Sequence, residues 1–150
     1  MTLDIRDHYR THVELERAGS FPPYDVCNDT ASSRIMGNVA ERIYDCSIEN
    51  LLSSMLIYIR DHEAAATDIN EEDFNVFNLV LPNYSVISSK VFINYAEFNP
   101  CFALNGEDLV EKFSNVYVPS VDDLDVVDTE FRWIVHITHE RDVYVKFAAR

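Results

Sequence analysis

The stretch Phe131–Phe147, FRWIVHITHERDVYVKF, constrains the fold more than any other. Phe131, Trp133, Val135 and Ile137 fall on alternate positions, and so do Val143, Val145 and Phe147. The polar run Thr138–Asp142 separates the two sets. Side chains on a strand alternate between faces, so this spacing predicts two strands joined by a tight turn, each with one face to bury. The stretch also carries the only Trp, and the rest of the chain is expected to pack around it.

Upstream, helical periodicity comes first and strand periodicity later. Thr2 is a cap for a helix over Leu3–Ala18 that stops at Gly19. A second helix is predicted over Ser32–Asp45, with Ile35, Met36, Val39, Ala40, Ile43 and Tyr44 as its core stripe. A third is predicted over Ile48–His62, capped by Ser47, with Leu51, Leu52, Met55, Leu56 and Ile59 inward. A single helix spanning both would be unusually long for a globular domain, which favours two. Beyond the polar link Glu63–Asp73, Phe74–Leu81 alternates loosely, and Tyr84–Ile87, Lys90–Tyr95 and part of Phe98–Leu104 look like strands. Asn105 caps a short helix over Gly106–Phe113, and Asn115–Val118 reads as a short strand. Ser120–Asp128 reads as an acidic loop or one helical turn, since its four aspartates would repel along a longer helix. The expected fold is α+β, with N-terminal helices packed on one face of an antiparallel sheet that ends in a C-terminal hairpin. At 150 residues the whole chain, 1–150, is expected to be one domain. Cut at Glu63–Asp73, neither half would bury enough surface.

Composition excludes several classes. Three glycines argue against Gly-rich phosphate loops. The N-terminus lacks a basic start followed by an apolar stretch, and the longest nearly apolar run, Leu51–Ile59, is far short of the ~20 residues of a membrane span. Cys27, Cys46 and Cys101 are odd in number and widely spaced, with no CxxC pair. They read as reduced thiols of a cytoplasmic protein.

No motif supplies catalytic or metal chemistry. His8 and His12 lie four apart on a predicted helix, with Glu16 a turn further, but the glutamate that zinc proteases place after the first His is Tyr9 here. Asp123 and Asp125 begin like a calcium loop, but the required glycine is Asp128. No cofactor or metal is expected. His136 and His139, near Glu130, Glu140 and Asp142, are the residues an enzyme would use as general acid or base. The plainer expectation packs His136 on the sheet and puts His139 in the turn.

Charge is the outlier. The chain has 26 acidic residues against 12 Lys and Arg, a net of −14. Residues 61–130 hold 15 of the acids against only Lys90 and Lys112, a net of −13. Solubility needs a net charge of only about 2–8 in a small domain. Such a field repels nucleic acid and anionic membranes and attracts a basic protein. Nucleases must attract phosphate and are basic, so an acidic protein suits their grooves. The candidate contact residues are Asp68, Glu71, Glu72, Asp73, Glu107, Asp108, Glu111, Asp122, Asp123, Asp125 and Asp128. Tyr84, Tyr95, Phe98 and Tyr117, interleaved with them, are candidate aromatic anchors.

In size, acidity and the closing pattern Phe131-Arg132-Trp133-Ile134-Val135-His136 … Asp142-Val143-Tyr144-Val145, the chain resembles bacterial immunity proteins. These neutralise a cognate toxin in contact-dependent inhibition and polymorphic toxin systems. The resemblance implies a cytoplasmic inhibitor that binds a basic toxin, such as a nuclease, without chemistry of its own. The alternatives are a small enzyme using His136 and His139, or an oligomeric adaptor protein.

Overall fold

The computed structural model describes residues 21–71, 73–84, 88–95, 98–117 and 122–149. The expected helix over Leu3–Ala18, with His8, His12 and Glu16, lies outside them, as do Glu72 and most of the expected strand Tyr84–Ile87. Strand β1 (Tyr24–Val26) leads into helix α1 (Asp29–Asn38), which continues as a π-helical turn over Val39–Ile43. A 3-10 turn, Ile48–Asn50, opens helix α2 (Leu51–Asp61). A 3-10 helix, Val76–Leu79, precedes strands β2 (Lys90–Tyr95) and β3 (Phe98–Asn105). Two short helices follow, α3 (Gly106–Glu111) and α4 (Phe113–Val116). Strands β4 (Leu124–Asp128), β5 (Trp133–Ile137) and β6 (Val143–Phe147) complete the chain. The strands form one antiparallel sheet in the order β1-β3-β2-β4-β5-β6.

The fold is therefore α+β, with helices α1 and α2 on one sheet face and a C-terminal hairpin at one edge. In that hairpin Trp133 pairs with Phe147, Val135 with Val145 and Ile137 with Val143. Both faces of the sheet are packed. On one, Trp133, Val135, Ile137, Leu124, Val126, Val91 and Ile93 meet Phe74, Phe77, Leu109, Phe113 and Val116. On the other, Val127 and Ile134 meet Val39, Ala40, Ile43, Leu51 and Met55. Every residue of β4 and β5 is consequently buried, the pattern of strands covered on both faces. At the β6 edge, Ala65 N–H and Tyr58 Oη–H donate to the carbonyls of Val143 and Val145, which blunts an open strand edge.

Local chemistry sets the element ends. Asn28 Oδ1 accepts the Ala31 amide at 2.8 Å, so α1 begins three residues earlier than Ser32. The helical layer breaks between Ile43 and Ile48, where Asp45 takes a left-handed φ of 50°, and two helices result. Asn105 Oδ1 accepts the amides of Glu107 and Asp108, the cap its position predicts. Glycine follows at close quarters: a Cβ on Gly106 would lie 3.0 Å from the Phe77 ring, which would have to shift by a few tenths of an ångström to admit it.

Three expectations are corrected. Part of Phe74–Leu81 is a 3-10 helix, since Asn75 Oδ1 takes the Phe77 amide and turns the chain. Asn115 and Val116 belong to helix α4: Leu109, Phe113 and Val116 continue one buried helical stripe across the kink at Lys112. The largest correction is the acidic stretch before the hairpin. Its second half is strand β4, paired with both β2 and β5 at the centre of the sheet.

That strand ends in Asp128, which is 0% exposed. Its carboxylate accepts from Arg132 Nε at 2.6 Å, from Arg132 Nη2 and from the Arg132 amide, with Ser88 Oγ at 3.5 Å. Its carbonyl accepts the Phe131 amide, and Phe131 adopts a φ of 57° to close the turn into β5. Arg132 is about a quarter exposed and keeps Glu130 at 3.3 Å, so removal of Asp128 forfeits charged hydrogen bonds without stranding a buried charge. In urea unfolding, Asp128→Ala is expected to lose about 1.5–3 kcal/mol, while Glu130→Ala, beside the same arginine but exposed, changes stability by less than about 1 kcal/mol.

Candidate functional site

The acidic residues of the middle segment fall into two populations. Asp68, Glu71, Asp73, Glu107 and Glu111 are exposed, and Asp108 is half-buried. Among the described residues, none of these six makes an ion pair. Two segments distant in sequence bring Glu71 and Glu111 to one cleft. The segment 68–71 is held by Asp68 Oδ1, which accepts the Asn70 amide, and by Phe74 N–H donating to the Glu71 carbonyl. Helix α3, fixed by its Asn105 cap, presents Glu107 and Glu111. Between them opens a cleft of about 370 Å³ lined by Ile69, Glu71, Phe74, Glu111, Phe113 and Tyr117.

Phe74 and Phe113 pack with ring centroids 4.9 Å apart, and Phe113 stacks on Tyr117 at 5.6 Å. The cleft thus has an aromatic floor and a carboxylate rim. A second groove of about 480 Å³ adjoins it, sharing Val110 and Glu111 and adding Glu107, Phe77 and Ser89. Unpaired carboxylates over aromatic rings suit a guanidinium or ammonium group, which gains Coulomb attraction at its head and ring contact along its stem.

The remaining aspartates do other work, and this is a correction. Asp122, Asp125 and Asp128 are 1%, 8% and 0% exposed, so they are withdrawn from any exposed field. Desolvating an unpartnered carboxylate is prohibitive, and fixed donors hold Asp125 and Asp128 in place. Asp123 is exposed at the far end of the hairpin, where Oδ1 accepts the backbone amide and Nδ1–H of His139. Of the expected aromatic anchors, Tyr95 is core and donates to the Val116 carbonyl. Tyr84 lies under the Arg132 guanidinium, 4.9 Å from its ring centre. Tyr117 is core as well but lines the cleft. The Phe98 side chain lies outside the described residues.

A polar row, buried at Asn94, Asp125 and His136 and half-buried at Tyr144, crosses the helix-covered face of the sheet. Asn94, Asp125, His136 and Tyr144 are direct neighbours on β2, β4, β5 and β6. His136 is 3% exposed, with Nδ1 2.7 Å from Asp125 Oδ1 and Nε2 2.6 Å from Tyr44 Oη. A carboxylate only accepts, so Nδ1–H donates to it, while Nε2 shares its hydrogen bond with the Tyr44 hydroxyl. Burial, followed by the Asp125 carboxylate, holds the Tyr44 hydroxyl well above the usual phenol range. Both ring nitrogens of His136 are thereby occupied within the protein, which weighs against its service as a general acid or base for an outside substrate. At the neighbouring Cys101, burial pushes the thiol up to about 12, an unreactive setting. All three cysteines are free.

Sequence reasoning missed Tyr44 as a polar partner, because it falls in phase with the apolar stripe of the helix that contains it. Its placement depends on the π turn, which shifts that phase. Among the described residues no group of three His, Cys, Asp or Glu side chains is placed to hold a metal, and no helix is long and apolar enough to cross a membrane. Two measurements check this assignment. Tyr44→Phe leaves the buried His136 Nε2 without its hydrogen-bond partner and is expected to cost about 1–3 kcal/mol in chemical denaturation. His139 is raised above the ordinary imidazole value by its hydrogen bond to Asp123 and then by that carboxylate's charge. Its stabilising contribution is therefore present at low pH and is lost as pH rises through the folded-state midpoint. An NMR titration should place the His139 midpoint above that of a free histidine, and Asp123→Asn should bring it down.

No protein-family description and no characterised protein matches the chain.

Proposed function

We propose that this chain is an inhibitor of the immunity-protein kind, which binds a basic protein through the acidic cleft between the 68–71 segment and helix α3. The observation that carries this reading is that two exposed carboxylates with no ion pair among the described residues, Glu71 and Glu111, stand around an aromatic floor of Phe74, Phe113 and Tyr117, with Glu107 in the adjoining groove. Stability gives no reason to gather like charges at one place, since they repel each other. A partner that presents Arg or Lys there relieves that repulsion and fills the cleft. The −13 balance of residues 61–130 extends the attraction beyond contact distance and disfavours nucleic acid as the ligand. Bound this way, the protein blocks a toxin or nuclease by covering the basic surface that its substrate needs, with no chemistry of its own.

The test is kinetic. The partner is recovered by affinity capture with the tagged chain, and its association is timed against wild type and against the triple variant Glu71→Lys, Glu107→Lys, Glu111→Lys. All three residues are exposed, so the fold tolerates the change. Association with wild type should slow steeply as salt rises, and the triple variant should associate at least about ten-fold more slowly at low salt. Equal rates for the two proteins, with no salt dependence, would falsify the electrostatic mechanism.

A further inference from the structure

The polar row on the helix-covered face does not stop at Asn94. The Asn94 side-chain amide donates to Cys101 Sγ at 3.6 Å, and beyond Cys101, on β3, lies Cys27, just past the end of β1. Tyr24, Asp25 and Val26 pair with Leu104, Ala103 and Phe102, so the next position along sets Cys27 against Cys101. The Cys27 amide donates to the Cys101 carbonyl at 2.9 Å, as that register requires. The return rung is made by Ser32 of helix α1, whose hydroxyl donates to the Cys27 carbonyl at 3.2 Å and accepts the Cys101 amide at 3.0 Å. Two thiols thus stand opposite each other at the β1 edge of the sheet.

Residues opposed in this way direct their side chains to the same face. A hydrogen-bonded antiparallel pair holds its Cα atoms about 5.5 Å apart, inside the roughly 4.4–6.8 Å that a disulfide spans. Cys46, the third thiol, packs instead against the helical cluster of Val39, Ala40 and Ile43. Access within the pair is unequal, because Cys101 is 1% exposed and Cys27 only half-buried. An outside reagent therefore meets Cys27 first, and Cys101 is placed to resolve what forms there. Neither thiolate is stabilised: burial pushes Cys101 up to about 12, and burial and then the Asp25 charge raise Cys27. Such thiols react slowly, but a reduced form without a stabilised thiolate leaves the disulfide favoured at equilibrium.

We infer that Cys27 and Cys101 form a reversible redox pair, which an oxidising thiol–disulfide couple closes into a disulfide across β1 and β3. The Cys27 thiolate attacks one sulfur of a small disulfide such as oxidised glutathione, forming a mixed disulfide and releasing one thiol of the reagent. The Cys101 thiolate then attacks Cys27 Sγ, the bond from Cys27 to the reagent breaks, and the second thiol leaves. The two protein thiols are oxidised, the reagent's disulfide is reduced, and the protein's two thiol protons end on the released thiols. The closed link pins β1, a three-residue strand with a single strand neighbour, together with the Asn28 cap of helix α1. It also closes a loop of roughly half the chain, which restricts the unfolded state. Reduction removes both constraints. This does not depend on the inhibitor reading.

The full chain is equilibrated with oxidised glutathione, its free thiols are alkylated, and its proteolytic peptides are read by mass spectrometry. A peptide linking Cys27 to Cys101 is expected in wild type and in Cys46→Ser, and it should vanish with dithiothreitol. The linked protein should melt higher than the reduced one by roughly 5 °C or more. Cys27→Ser, at a half-buried site, should keep its circular dichroism, form no link and show no shift in melting. Free Cys27 and Cys101 at equilibrium overturn the inference. So does a glutathione adduct that persists on Cys27, a link made through Cys46, or a linked form that melts no higher than the reduced chain.

Discussion

A carboxylate moved out of water loses several kilocalories of hydration unless fixed donors replace the lost solvent. Strand β4 takes two of them inside, and the architecture follows from where their donors come from. Asp128 finds all of its near donors within the turn that it opens, so the β4–β5 connection can adopt only the geometry that returns Arg132 to it. Asp125 finds its donor one strand away in His136, and His136 reaches Tyr44 above the sheet. A one-residue slip of β4 against β5 would bring Val126 to His136 and leave Asp125 facing hydrocarbon. Hydrophobic burial drives the collapse of this sheet, but it is nearly indifferent to which valine faces which. The acids supply the discrimination.

The same interaction ties the helical layer to the sheet. Apolar contacts of Val39, Ala40, Ile43, Leu51 and Met55 with Val127 and Ile134 give most of the attraction, since each buried aliphatic side chain is worth about 1.5–3 kcal/mol. They tolerate small slides and rotations. The Tyr44–His136 bond does not, and it is reached only because the backbone widens into a π turn and then reverses at Asp45. Strained geometry of this kind persists where surrounding contacts over-determine it. Lys146 adds a second tie, lying 5.3 Å from the ring centres of both Tyr44 and Tyr58. On the opposite face one polar group is left over: the Trp133 indole N–H is buried with no acceptor among the described residues. The large area that the ring buries offsets that loss.

What the chain shows in one dimension tracks how local the deciding physics is. The hairpin, the break between α1 and α2, and the Asn105 cap are written in neighbouring residues, and each is where its pattern puts it. Strand β4 is not, because four aspartates in seven residues look like a solvated loop to any rule that counts charge. The countersign was present: Leu124 and Val126 alternate with Asp125, and two β-branched residues stand together four positions before the hairpin. Reading it as a strand requires knowing that His136 and Arg132 return as partners, which is tertiary information. The outward roll of Leu52 and Leu56, which were expected inside and are 58% and 59% exposed, is a similar case. Leu51, Leu52, Met55 and Leu56 form an apolar arc too wide for one contact, and only the packed sheet decides which half of it is covered. As for the candidate site, the acidic surplus was legible as a quantity, but not the separation of buried from exposed acids.

That separation changes what the charge means. Counted along the chain, residues 61–130 form one acidic belt; in the fold, the belt divides by the availability of partners. Asp125 and Asp128 are held by cations or donors of the protein's own making, so they add little to the field outside. Among the described residues Glu71, Glu107 and Glu111 face solvent without an ion pair, and repulsion between Glu71 and Glu111 across the cleft is a cost to the free protein. A surface destabilised in this way is one that a cationic ligand stabilises on arrival, because every carboxylate it neutralises removes a repulsion as well as adding an attraction. The aromatic floor makes the effect local. Low-dielectric rings beneath the carboxylates weaken solvent screening and strengthen the pull on a charge that enters the cleft. On the proposed reading, recognition at this site would follow from arrangement rather than from net charge. An isomer of the same composition with Asp128 exposed and Glu111 buried would be equally acidic, but it would lack the turn that builds the sheet and the carboxylate rim of the cleft.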